Sequence, residues 1–138
     1  MQTEVMFSSK TGEHATPQDF FDELDAEFGF VLDPCSTDEN AKCEFHYTIG
    51  DNGLLMPWFG PVFMNPPYGR EIVAWVEKAY EEGKHTTVVG LLPARTDTRW
   101  FHDYIYGKAE IRFVKGRLKF GDAKNSAPFP SMVVVWRP

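Results

Sequence analysis

The 138-residue chain has only two cysteines, Cys35 and Cys43. Two thiols are too few to staple a small fold, which excludes a disulfide-built domain, and both are expected to be free in a reducing compartment. No apolar run approaches the roughly 18 residues a membrane-spanning helix needs. The opening Met1-Gln2-Thr3-Glu4-Val5 lacks a basic leader and an apolar secretory core, so the expected location is the cytoplasm, with no membrane partner. Internal repeats and low-complexity tracts are also missing. Cys35, Cys43, His46 and His14 match no common zinc spacing, and no metal site is expected. What remains is ordinary: 43% hydrophobic and 25% charged residues, the balance of one globular domain.

Charge is scarce in one sign until late in the chain. The net charge of −6 argues against a protein whose only business is gripping nucleic acid. Residues 1 to 107 carry 7 basic and 18 acidic side chains, whereas residues 108 to 138 carry 7 basic and 2 acidic. A basic end on an acidic body reads either as a nucleic-acid face or as a solvated strand pair with lysines guarding a sheet edge.

Residues 1 to 15 show no period and read as an N-terminal arm; residues 16 to 138 read as a single domain. Thr16 and Pro17 open a helix, Thr16 as its cap, with Phe20, Phe21, Leu24 and Phe28 on the apolar face and Gly29 as the stop. Phe30 to Leu32 is a short buried strand running into Asp33-Pro34-Cys35-Ser36. Residues 38 to 42 are compatible with one or two helical turns, and Asp51-Asn52-Gly53 is a turn signal. Val62 to Met64 is a second strand ending in Asn65-Pro66-Pro67-Tyr68-Gly69. A helix with Ile72, Val73, Trp75, Val76, Ala79 and Tyr80 on one face follows and closes at Gly83. Thr86 to Leu92 is a third strand, ending in Pro93-Ala94-Arg95-Thr96-Asp97. Next come a helix over 99 to 106 capped by Thr98, strands at 109 to 114 and 117 to 120, a loop, and a strand over 132 to 136. Alternating strands and helices followed by adjacent strands predict an α/β sandwich, mostly parallel with an antiparallel C-terminal end. Ligands in such sheets sit beyond the carboxyl ends of the strands, where Asp33, Asn65 and Arg95 fall.

Asn65-Pro66-Pro67-Tyr68 carries the most chemistry. Read structurally, it is a proline turn that ends a buried strand. Read chemically, it suits a nitrogen whose lone pair is delocalised into an adjoining π system. A site that methylates such a nitrogen must accept both of its N–H hydrogens and leave the lone pair free. The Asn65 side-chain carbonyl takes one and the Pro66 backbone carbonyl the other, since proline keeps its acceptor. Two prolines stiffen the loop, and Tyr68 offers a flat ring for a planar target.

With its preceding strand, the segment resembles the catalytic motif of S-adenosylmethionine-dependent amino-methyltransferases, and the wider pattern resembles the small phage-type, Dam-like DNA N6-adenine methyltransferases. The matching pieces are Thr16-Pro17, Phe30 to Ser36, Asn40-x-Lys42-Cys43, Asp51-x-Gly53-Leu54 with Trp58, Asn65 to Tyr68, Leu92 to Thr96, Gly116-Arg117-Leu118-x-Phe120, and Pro128 to Ser131. The resemblance implies a compact Rossmann-like methyltransferase fold and transfer of a methyl group to adenine N6 in DNA, with the adenine flipped out of the duplex. It implies that Asn65, Pro66, Pro67 and Tyr68 are catalytic. Asp33, Pro34 and Cys35 would meet the methionine end of the cofactor, Thr16 and Pro17 would flank that end, and Asp51 would face the adenosine. The chain departs from the general pattern in lacking a glycine-rich loop after the first strand. About 30 residues separate Asp33 from Asn65, so the second and third strands of a full methyltransferase sheet are expected shortened or missing.

Arg70, Arg95 and Arg99 follow strand ends on the presumed site face, and Lys115, Arg117 and Lys119 alternate along an expected strand and would share one side. These six are the candidate DNA-phosphate contacts. The same two acceptors would serve an RNA base or a protein glutamine amide, and a nucleic-acid-binding module that has lost its cofactor is a third reading.

Overall fold

The computed structural model describes residues 15–121 and 126–138. The chain order is helix α1 (Gln18–Phe28), strands β1 (Leu32–Asp33) and β2 (Phe45–His46), a 3₁₀ turn (Gly53–Leu55), β3 (Val62–Met64), helix α2 (Ile72–Glu82), β4 (Val88–Pro93), helix α3 (Arg99–Tyr104), β5 (Glu110–Phe113) and β6 (Ser131–Trp136). The strands form one six-stranded sheet in the order β2-β1-β3-β4-β6-β5. The first four are mutually parallel; β6 runs antiparallel to β4 and β5 antiparallel to β6. The expected mixed sheet with an antiparallel end is therefore present.

Side-chain alternation divides the core between the two faces of this sheet. Leu32, Val62, Met64, Val88, Leu92, Met132, Val134 and Trp136 pack with Ile72, Trp75, Val76 and Ala79 of α2 and with Trp100 and Phe101 of α3. Phe63, Val89, Leu91, Val133 and Val135 face the other way, onto Phe21 and Leu24 of α1 and onto Phe120. Each such fully buried side chain stabilises the fold by about 1.5–3 kcal/mol before conformational entropy is counted. On α2 the buried positions are Ile72, Trp75, Val76 and Ala79; Val73, expected on the same face, is 46% exposed because it points off the sheet.

Helix ends match local chemistry. Gly29 is left-handed at φ 68° and donates its N–H to Asp25 O, a stop that a Cβ would strain. Thr98 caps α3, its Oγ1 accepting from Phe101 N–H at 3.3 Å. Thr16 does not cap α1. Pro17 occupies the cap position, without a side-chain hydrogen bond, and the Thr16 hydroxyl is engaged elsewhere.

Two further expectations fail for physical reasons. Residues 38–42 form no helix: Thr37 and Asn40 bond each other reciprocally, Thr37 N–H to Asn40 Oδ1 at 2.8 Å and Asn40 N–H to Thr37 Oγ1 at 3.2 Å, and Lys42 N–H is taken by Asp33. Residues 117–120 form no strand. Gly116 turns the chain at φ 79°, and the segment is held by a backbone bond from Ala127 N–H to Leu118 O, by the Arg117 guanidinium donating to Ala127 O at 3.4 Å, and by burial of Phe120. No helix among the described residues is long and apolar enough to cross a membrane.

Candidate active site

β1, β3 and β4 are parallel, so their carboxyl ends lie together and deliver Asp33, Asn65 and Ala94-Arg95 to one edge of the sheet. A cleft opens there, lined by Ala15, Thr16, Asp33, Cys35, Ser36, Asn40, Lys42, Phe63, Asn65, Pro66 and Pro67. Of the residues expected at the site, Thr16, Asp33, Cys35, Asn65, Pro66 and Pro67 are thus gathered around one cleft.

Asp33 is 4% exposed. Its Oδ2 accepts from Lys42 N–H at 2.9 Å and its Oδ1 from Cys35 N–H at 3.4 Å. Burial outweighs these donors and lifts its carboxyl from 3.8 to about 6. Burial also pushes the Cys35 thiol well up, aided by the Asp33 charge, and lifts Cys43 to about 12. Neither is a reactive thiolate near neutral pH. Cys35 accepts a hydrogen bond from the Asn65 backbone N–H, which ties the loop after β1 to the loop after β3.

Asn65 donates from Nδ2 to Thr16 Oγ1 at 3.1 Å and accepts at Oδ1 from the Tyr68 hydroxyl at 3.3 Å. The single Tyr68 hydroxyl proton is shared between Asn65 Oδ1 and the nearer Leu91 O at 3.1 Å, and burial holds the hydroxyl far above the ordinary tyrosine range. The Tyr68 ring is 6% exposed, with Phe120 and Phe129 edge-on to it at 6.4 and 5.5 Å. Stacking a planar target on this ring requires these two phenylalanines to move aside.

A second, more apolar cleft adjoins the first and shares Pro67 of the β3 loop with it; its other walls are Pro34, expected at the first cleft, with Thr48, Ile49, Asn52, Gly53, Leu54, Glu71 and Trp75. Gly53 fits because nothing larger can: a Cβ there would lie 2.3 Å from Pro34 O and 3.1 Å from the Trp75 ring. The Trp58 indole locks that contact by donating to Gly53 O at 2.9 Å. Asp51 lines neither cleft. It is exposed and closes the turn beneath Thr48, accepting at Oδ2 from Thr48 N–H at 2.9 Å and Thr48 Oγ1 at 3.2 Å. Pro17 lines a separate open groove with Asp19, Phe20, Glu23, Arg117, Leu118 and Lys119.

Sequence reasoning passed over Ser36, which is 2% exposed, lines the first cleft, and has a hydroxyl with no hydrogen-bond partner among the described residues. Its signal was its place directly after Asp33-Pro34-Cys35. Lys42, only part of a wider pattern in the sequence, lines the same cleft, and its Nζ donates to Gln18 Oε1 at 2.9 Å. Trp75, read as core, is core on one side and cleft wall on the other.

Arg70, Arg95, Arg99, Lys115, Arg117 and Lys119 are all exposed, and the Arg95 guanidinium lies 6.0 Å from the Phe129 ring centre. The shared side expected for Lys115, Arg117 and Lys119 rested on a strand that does not form. Two other members of the basic C-terminal stretch are neutralised within the fold: Arg112 forks onto Glu27 at 2.7 and 2.8 Å, and Arg137 pairs with Glu110 at 2.6 Å. Among the described residues no group of three His, Cys, Asp or Glu side chains is placed to hold a metal ion.

Comparison with known proteins bears on what these clefts serve. The DNA N-6-adenine-methyltransferase of Escherichia phage T1 is 34% identical over 109 residues, covering 75% of this chain and 45% of that protein. YfdM of Escherichia coli (strain K12), which carries a methyltransferase name, is 41% identical over 61 residues, covering 38% of this chain and 67% of that protein. The chain thus spans less than half the length of the phage relative. A family model described as DNA N-6-adenine-methyltransferase (Dam) matches residues 6–138, a span that takes in both clefts and every strand. The chain belongs to the DNA N-6-adenine-methyltransferase (Dam) family.

Proposed function

We propose that this chain transfers a methyl group to the N6 amino group of adenine in DNA, with S-adenosylmethionine as the donor. The observation that carries the reading is the convergence, around one cleft, of Asn65, Pro66 and Pro67 with the buried Asp33 carboxylate and with the Ser36 hydroxyl, which has no partner among the described residues. We read the sheet as a Rossmann-like methyltransferase sheet whose second strand is cut to the two residues of β2 and whose third has no counterpart among the described residues.

The donor set fits the cofactor from end to end. Asp33 is a buried anion for an ammonium, a charge-assisted contact that would repay its desolvation. Ser36 is a buried hydroxyl without a partner among the described residues, and such a group favours a polar ligand. The adjoining cleft, floored by Trp75 and walled by Pro34, Ile49 and Leu54, suits a flat purine. When bound, the cofactor supplies a methyl group activated by a sulfonium.

The chain's own residues then have defined tasks. Asn65 Oδ1 and the Pro66 carbonyl would accept the two hydrogens of the target amino group, which leaves its nitrogen lone pair free for methylation. The proline pair holds both acceptors rigid, so little reorganisation is needed on reaction. Alignment of nucleophile and methyl group supplies the main rate term, worth up to about 7–11 kcal/mol. A duplex adenine reaches Asn65 only by leaving the stack, at a cost of a few kcal/mol. Arg95 beside Phe129 and the exposed Arg70, Arg99, Lys115, Arg117 and Lys119 are the groups available to phosphates. Incubation of the purified chain with methyl-labelled S-adenosylmethionine and, separately, duplex DNA, structured RNA and bulk protein tests the reading. Label in DNA supports it; label confined to RNA or protein, or no cofactor binding by calorimetry, overturns it.

A further inference from the structure

Thr16 lines the first cleft, and it stands out because its hydroxyl, which has the chemistry of a helix cap, does not serve as one. It does not cap α1, and it is turned to the side chain of a residue 49 positions away, accepting from Asn65 Nδ2 at 3.1 Å. Thr16 is 4% exposed, so water does not compete strongly for that bond. We propose that Thr16 is a positioning residue that anchors the Asn65 side-chain amide through Nδ2, keeping the side chain in place with Oδ1 available to the target amino group. The inference rests on the assignment of Asn65 as the acceptor in methyl transfer.

The physical need is plain. A side-chain amide that is not anchored rotates about its last bond, and its acceptor and donor ends are of nearly equal size. The donor end facing an amino group would set N–H against N–H and leave one hydrogen of the target unaccepted. Oδ1 now receives the Tyr68 hydroxyl at 3.3 Å, while the same hydroxyl reaches Leu91 O at 3.1 Å. A target amino group replaces the longer of these contacts, and Tyr68 keeps the shorter. Exchange of one donor for another at Oδ1 requires no rotation of the amide as long as Nδ2 stays on Thr16.

Thr16 is itself held on both sides. The Ala15 carbonyl accepts from Gly121 N–H at 2.8 Å, and the Pro17 carbonyl accepts from Phe21 N–H at 3.0 Å, opening α1. Phe21 packs edge-on against Phe63 at 5.1 Å, two residues before Asn65. The threonine and the asparagine are thus mounted on the same packed frame, which is what a positioning contact needs.

The test uses Thr16→Val, which keeps the shape and removes the acceptor, Thr16→Ser, which restores it, and Thr16→Ala as a second deletion should valine disturb folding. Three quantities are read: cofactor affinity by calorimetry, single-turnover methylation of DNA, and the ¹⁵N resonances of the Asn65 side-chain amide, identified by their loss in Asn65→Ser. Thr16→Val is expected to bind cofactor within about twofold of wild type, to lose about 10- to 100-fold in rate, and to show a displaced, faster-exchanging Asn65 amide. Thr16→Ser should return all three. A Thr16→Val protein with weakened cofactor binding but an unchanged rate at saturating cofactor makes Thr16 a cofactor ligand and overturns the proposal. An unaltered Asn65 amide in both deletions overturns it whether or not the wild type methylates DNA, so this failure is separable from failure of the assigned activity.

Discussion

Replacing Asp33 by asparagine should separate stability from binding, because the fold bears a cost at this position that only a bound cation offsets. The Asp33 carboxyl stands at about 6 in place of 3.8, a rise caused first by burial. At about 1.4 kcal/mol per pH unit, its ionised form opposes folding by about 3 kcal/mol at neutral pH. Since the folded value lies above the unfolded one, the folded chain holds the extra proton between them. Wild-type stability should therefore be greatest in this respect below about pH 4 and should fall as pH rises through 6. The side chain of Asp33→Asn carries no charge, but its amide nitrogen must face one of the two backbone N–H donors, from Lys42 or Cys35. That mismatch costs about 1–3 kcal/mol. The sum puts Asp33→Asn between equal to wild type and about 2 kcal/mol more stable at pH 7. Wild type should gain about 1 kcal/mol relative to the variant between pH 7 and pH 5. The raised His46 also favours folding on acidification in both proteins, and only its electrostatic coupling to Asp33 enters the difference. Cofactor affinity should move the other way: about tenfold weaker in wild type at pH 5 than at pH 7, and weak at both pH values in the variant. Denaturant unfolding and calorimetric titration at pH 5, 6 and 7 measure both. An Asp33→Asn protein destabilised by 3 kcal/mol or more at pH 7, or one that binds cofactor as wild type does, would rule out a charge held at a cost for the cofactor.

Gly53→Ala should destabilise the chain by about 1–3 kcal/mol and weaken cofactor binding together, because its Cβ would meet the rigid Pro34 carbonyl at 2.3 Å; thermal unfolding and calorimetry would show both, and a silent variant would mean that Gly53 shapes neither fold nor cleft. For DNA binding, Arg117→Ala and Lys119→Ala should each reduce the log–log salt slope by about one unit. Arg112→Ala should leave that slope unchanged and lower the thermal midpoint, because its guanidinium is already committed to Glu27 and Glu110. A slope that responds to Arg112 and not to Arg117 would move the DNA face to the β5 edge.

The site was more legible in the sequence than its surroundings. Strand-end positions are readable because an apolar run such as Val62 to Met64 stops abruptly at Asn65-Pro66-Pro67, and parallel pairing brings such ends together without further information. β2 escaped because two residues, one of them an exposed phenylalanine at the sheet edge, carry no period. The failed strand at 117–120 shows the opposite error. Alternating Arg117-Leu118-Lys119-Phe120 satisfies a period of two, but alternation reports only which side chains are buried, and the ladder partner that makes a strand is not encoded locally. Thr16 illustrates a limit of capping rules. A threonine before proline has the chemistry of a cap, yet the Asn65 amide 49 residues away offered its hydroxyl a better-placed donor.

The division of labour between Asn65 and Asp33 is tested most directly by Asn65→Ala, read as N6-methyldeoxyadenosine by mass spectrometry of digested DNA after a single turnover, beside calorimetric titration of S-adenosylmethionine. Methylated adenine is expected with wild type, with a yield reduced by about 100- to 1,000-fold in the variant and cofactor affinity unchanged. A variant that methylates at the wild-type rate, or that loses cofactor binding and turnover in equal measure, would contradict the assignment of Asn65 to the target amino group.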